Sequence, residues 1–100
     1  KTMSKYNISA DGSTLAVAPV GKIDSYNAPT FQDAVMKELP GKTSAVFDFS
    51  RLEYISSAGL RVLLATKKEL GNGEVRVRNV PPTIKDILNV TRLAQFVVIE

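Results

Sequence analysis

The chain has 100 residues, 44% hydrophobic and 23% charged, with 13 basic and 10 acidic side chains and a formal net charge of +3, which suits one globular domain that buries its own core. It has no cysteine and no histidine, which excludes disulfides and thiolate chemistry and removes the commonest general base and metal ligand near neutral pH. The basic residues are scattered, only Lys67 with Lys68 and Arg76 with Arg78 approaching a cluster, unlike the basic stripe of a nucleic-acid surface; no apolar run nears the roughly 18 residues of a membrane span, and no leader pattern opens the chain.

In chain order, Met3–Ser9 is expected to form a first strand, and Asp11–Gly12 is a hairpin turn signal. Thr14–Ile23 reads as one second strand, with Pro19 arguing for an edge or irregular position. Asp24 to Thr30 opens a helix: Asn27 is placed at its N-cap and Pro29 in its first turn. Ala28, Phe31, Ala34, Val35 and Leu39 recur at helical spacing, and Pro40–Gly41 ends the run.

Ser44–Phe49 is nearly all apolar, which predicts a central strand buried on both faces. Ser50–Ile55 reads as a loop. A helix follows from about Ser57 to Leu70, with Leu60, Leu63 and Leu64 inward and Arg61, Lys67 and Lys68 outward; Gly71 and Gly73 stop it. Glu74–Asn79 is a strand with Val75 and Val77 on one side and Arg76 and Arg78 on the other. Pro81–Thr83 opens a short helix capped by Thr83, with Ile84, Ile87 and Leu88 inward. Phe96–Ile99 closes as the last strand. The order ββαβαβαβ predicts an α/β fold in one domain, residues 1–100: a single mixed sheet with helices packed on it.

Function in such sheets favours the places where strands run into helices. Ser56 and Ser57 stand at one such place, at a helix start where N–H groups converge and the helix dipole favours an anion. A phosphate there would be tolerated locally and would still alter what the surface binds. From spacing alone, paired serines before a helix are capping residues first. Gly59 reads as a close helix–sheet packing position and Asp48 as a structural hydrogen-bond acceptor. No phosphate-binding loop pattern is present, and no cofactor or metal is expected.

The segment Asp48-Phe49-Ser50-Arg51-Leu52-Glu53-Tyr54-Ile55-Ser56-Ser57-Ala58-Gly59-Leu60, continuing to Leu64, resembles the core motif of STAS domains, in particular the free-standing anti-sigma factor antagonists of bacteria. Gly21 to Asp24 with Asn27–Ala28 is similar to the family's second-strand ending, and Ile87 to Phe96 is similar to its last helix and final strand. The resemblance implies an anti-sigma factor antagonist that binds rather than catalyses. Unmodified, it would sequester an anti-sigma factor that is a serine kinase; phosphorylation would release that kinase, and a metal-dependent serine phosphatase would reset the switch.

Aligned on Gly59, the first acceptor position of the family falls on Ser57. The second falls on Ala58, which has no hydroxyl, and Ser56 stands where the family often has an acid. Ser57 is therefore the first choice for the phosphate and Ser56 the second, with Ser56 also a candidate cap. The partner surface is expected at Asp24, Asn27, Tyr54, Ile55, Ser56, Ser57, Ala58 and Arg61. Asp24 has two readings, a shaper of the kinase contact or a turn residue. Core packing is the alternative for Tyr54 and Ile55, and a solvated face the alternative for Arg61. The family commonly adds a C-terminal helix, expected here to be absent or truncated. The whole is expected to be cytoplasmic, monomeric when free, and bound to neither nucleic acid nor membrane. The alternative function is a STAS regulatory subunit of a membrane transporter complex.

Overall fold

The hairpin turn at Gly12, whose φ of +64° suits a residue without a side chain, joins β1 (Ile8–Asp11) to β2 (Thr14–Val17). The two strands are antiparallel, with Ile8 opposite Val17 and Asp11 opposite Thr14. The structure is a computed structural model and describes residues 6–100. The elements after the hairpin are β3 (Gly21–Ile23), α1 (Ala28–Glu38), β4 (Ser44–Asp48), β5 (Leu52–Ile55), α2 (Ser57–Leu70), β6 (Glu74–Arg78), α3 (Pro82–Val90), a 3-10 turn (Leu93–Gln95) and β7 (Val98–Ile99).

Five strands form a mixed sheet in the order β1-β2-β4-β6-β7, parallel from β2 onward. Parallel neighbours need crossover connections, and the helices supply them. Phe31 and Val35 of α1, Val62 and Leu63 of α2, and Ile84 and Leu88 of α3 share one core with Leu15, Val17, Phe47 and Val77 of the sheet. Phe31 meets Phe47, and Phe47 meets Phe49, edge to face at 6.3 Å between centroids. Thr66 is buried within this core, and its hydroxyl donates to the Val62 carbonyl at 2.7 Å.

Four sequence expectations about strands, and one about a helix cap, differ from the fold. Thr14–Ile23 is two strands, because Pro19 can donate no ladder bond and Gly21 turns at φ +86°. The first strand is Ile8–Asp11, since Asn7 at φ +44° breaks the extended chain ahead of it; Met3 to Lys5 lie outside the described residues. Ser44–Asp48 is buried on one face only. Ala45 and Phe47 face the helices, while Ser44, Val46 and Asp48 on the other face are half-buried. Beside them lie Arg76 and Arg78, which pair with Glu74 and Glu100. The last strand is shorter than expected because Phe96 ends the 3-10 turn. Thr83 does not cap α3: Pro81 holds the N-cap position and no side chain bonds to that end.

Asp48 is an acceptor, as expected from its place at a strand end. Its carboxylate takes the Ser50 backbone N–H at 3.0 Å and the Asn79 amide at 3.1 Å. Those bonds, the backbone one first, hold its carboxyl below the ordinary value of 3.8. A folded-state pKa depressed below the unfolded one contributes stability that is full above the unfolded value and lost as pH falls through the folded value. Acid denaturation should therefore contain a component below about pH 4 that an Asp48→Asn chain lacks. In urea melts, the stability gap between the two chains should narrow from pH 7 to pH 3; a constant gap would refute the assignment.

Candidate functional site

Leu52–Ile55, expected as a loop, is a strand. It pairs in parallel with β3 as a separate two-stranded ladder, with Ile23 opposite Ile55. The segment is four residues long and shows no alternation, with Leu52 and Ile55 buried at its ends and Glu53 and Tyr54 exposed between them. This ladder positions the site. Each strand runs straight into a helix, β3 through Asp24–Asn27 into α1 and β5 through Ser56 into α2. The Ser56 N–H donates to the Ile23 carbonyl at 2.8 Å, one step beyond the paired isoleucines. Register alone thus sets the Asp24 loop beside the start of α2.

Ser56 is the N-cap of α2, in extended conformation, and its hydroxyl accepts the Gly59 N–H at 3.3 Å. Ser57 is the first residue of the helix and is exposed. No acidic side chain occupies the first turn, so the positive end of the helix dipole is not offset there. Replacing Ser56 by Ala should cost roughly 0.5–1 kcal/mol, the low side of the usual range because the bond is long. Thermal melts check this; an unchanged midpoint would remove the capping role.

Gly59 lets α2 approach the ladder. A Cβ on it would stand 2.6 Å from Ile55 Cγ1 and 2.7 Å from Ile23 Cγ2, closer than real side chains come. The absence of a side chain at Gly59 therefore seats the helix start on the two buried isoleucines.

The Asp24 loop is held by its own bonds. Asp24 Oδ1 accepts the N–H groups of Tyr26 at 3.0 Å and Asn27 at 2.9 Å. Asn27 Oδ1 accepts the Asp24 N–H at 2.8 Å, while its amide donates to the Lys22 carbonyl at 2.9 Å. Asn27 does occupy the N-cap position, but its side chain makes no capping bond to α1. It faces back toward β3 instead. The turn reading of Asp24 holds in these bonds, and the loop presents Tyr26, 92% exposed, to solvent.

A family model for the STAS domain matches residues 5–100 of this chain. The chain belongs to the STAS domain family. This STAS domain is 32% identical over 74 residues to BtrV of Bordetella bronchiseptica, described as a candidate anti-sigma factor antagonist; the match covers 71% of this chain and 64% of that protein. The match thus spans less than two thirds of the relative's length. Among solved structures, an anti-sigma factor antagonist from Mycobacterium paratuberculosis superposes with a TM-score of 0.84 at 24% identity, over 94% of this chain and 82% of that one. The Bacillus cell fate determinant SpoIIAA in its phosphorylated form superposes with a TM-score of 0.75 at 17% identity, over 95% and 90%. At those identities the two structures speak for the fold.

Two grooves flank the start of α2 in this STAS domain. One, about 280 Å³, runs between α1 and α2 and is lined by Pro29, Asp33, Ala58 and Arg61 among others. The second, about 160 Å³ and mostly apolar, is lined by Ser57, Leu60, Arg61, Leu64, Thr91 and Leu93. Arg61 lies between them and lines both. A larger cavity of about 450 Å³ sits at the far ends of α1 and α2, around Met36, Leu39 and Leu70, away from Ser57.

Of the residues singled out in the sequence, Asp24, Asn27, Ser56, Ser57, Ala58 and Arg61 gather at this end of the molecule. Tyr54 is 48% exposed, whereas Ile55 is 2% exposed and offers no surface to a partner; it is the floor under Gly59. Thr91 and Leu93 belong to the site and were not picked out for it, since their place beside Ser57 arises only when the chain end folds back. Among the described residues no helix is long and apolar enough to cross a membrane.

Proposed function

We propose that this STAS domain is an anti-sigma factor antagonist controlled by phosphate on Ser57. The unmodified form binds and sequesters an anti-sigma factor that is a serine kinase. Phosphorylation releases that kinase, and a metal-dependent serine phosphatase restores the binding form. The domain acts by binding in the cytoplasm, and its chemistry is done to it by its partners.

The observation that carries this reading is the division of labour at the start of α2. The Ser56 hydroxyl is engaged as the cap, Ala58 has none, and Ser57 holds an exposed hydroxyl at the first helical position. The Asp24 loop stands alongside, so a kinase reaching Ser57 meets both. BtrV supports the antagonist role by its description, and SpoIIAA in its phosphorylated form is a protein of the same fold that carries such a modification.

Incubation with the cognate kinase and ATP, followed by mass spectrometry of peptides, tests the site. One phosphate is expected on Ser57 in the natural chain and none in Ser57→Ala. Full modification of Ser57→Ala at another residue would overturn the assignment.

A further inference from the structure

We propose that Arg61 is the built-in counter-ion for the phosphate on Ser57, so that modification converts a cation offered to the partner into an ion pair held within the domain. The proposal rests on Ser57 being the modified residue and adds how the modified state is held.

Ser57 and Arg61 are four residues apart on α2, which places them on one face, one turn apart, with Cβ atoms about 5–6 Å from each other. Both line the apolar groove closed by Leu60, Leu64, Thr91 and Leu93, where no other charged side chain takes part. Arg61 is exposed and pairs with no carboxylate among the described residues, although Asp33 lines the neighbouring groove with it. The other cations of the helix are placed differently. Lys67 is spent on the carbonyls of Gly71 and Gly73 at 3.0 and 2.5 Å, and Lys68 lies beside it in the last turn. Arg76 and Arg78 are bound to Glu74 and Glu100. The guanidinium fork matches phosphate oxygens in two parallel bonds. A phosphate on Ser57 therefore finds an uncommitted guanidinium one turn away. The partner then meets an excess of negative charge where it had met a positive one.

The test uses the full chain with phosphoserine incorporated at position 57 during synthesis, so no kinase is needed. Phosphorus NMR follows the second ionisation of the phosphate against pH in the parent, R61Q, R61K and R92Q chains. Arg92 is the control because it neighbours Thr91 and Leu93 at the groove. An adjacent cation favours the dianion, so the parent phosphate should ionise lower than the R61Q phosphate by about half a pH unit or more. R61K should fall between them, R92Q should match the parent, and added salt should shrink the difference. Equal titrations in parent and R61Q would overturn the proposal, as would a shift that follows R92Q alone. Either result leaves Ser57 standing as the kinase target, whereas failure of a kinase to modify Ser57 overturns that reading without touching the pairing.

Discussion

Replacing Ser57 by Asp is expected to weaken binding of the anti-sigma partner by roughly tenfold or more, and a full phosphate by more than a hundredfold, with the fold unharmed in both. The groove beside Ser57 is mostly apolar, and a partner packed there excludes water from the hydroxyl. A phosphate adds about −1.5 to −2 charges, which the interface must then desolvate. A penalty of ~3 kcal/mol corresponds to a loss of more than a hundredfold. Aspartate carries a single charge on a shorter stem and loses less. The helix start tolerates either charge, because its first turn has no acid of its own and its dipole favours an anion. Melting temperatures should therefore stay level or rise slightly. Titration calorimetry with the purified partner measures the affinities, and values for Ser57→Asp within twofold of the parent would count against the switch.

Gly59→Val should be the most damaging single change at the site. Even one added carbon would press within 2.7 Å of Ile55 and Ile23, both buried and both branched at Cβ. These side chains have little room to turn aside, so α2 must lift from the ladder. Overpacking of this kind costs about 3 kcal/mol, or a fall in melting temperature of roughly 12–24 °C for a domain of this size. Gly59→Ala should cost less, since a gain in helix propensity of about 1 kcal/mol offsets part of the clash. The same displacement moves Ser57 away from the Asp24 loop, so the kinase should modify it more slowly. A fall in melting temperature of less than about 5 °C in Gly59→Val would mean that the helix is not seated as described.

The long, regular patterns of this chain were legible before folding. Phe31 and Val35 in α1, Leu60 and Leu63 in α2, and Val75 and Val77 in β6 face the core as their spacing predicts. Ser56 and Ser57 could be told apart from the sequence by alignment on Gly59, and in the fold Ser56 is the N-cap, its hydroxyl accepting the Gly59 N–H. What could not be read was set by pairing between distant segments. Leu52–Ile55 has only four residues and acquires its strand form from β3, so its composition suggested a loop. Val46 reads as fully buried because it is apolar, yet it lies on the sheet face that the helices leave uncovered. Asn27 has the composition of a cap, but an available carbonyl at Lys22 draws its amide away. Ile55 stands next to the switch in sequence and points beneath it in space, since successive strand residues face opposite ways and Ile55 is buried where Tyr54 is exposed.

The proposed switch requires that phosphate on Ser57, and not elsewhere, separate this domain from its partner. The most direct measurement titrates the anti-sigma partner into the natural chain before and after treatment with kinase and ATP, with Ser57→Ala carried through the same treatment. The natural chain should lose more than a hundredfold in affinity on treatment, while Ser57→Ala should bind equally well before and after. Undiminished binding by a chain shown to carry phosphate on Ser57, or an equal loss by Ser57→Ala, would contradict the account.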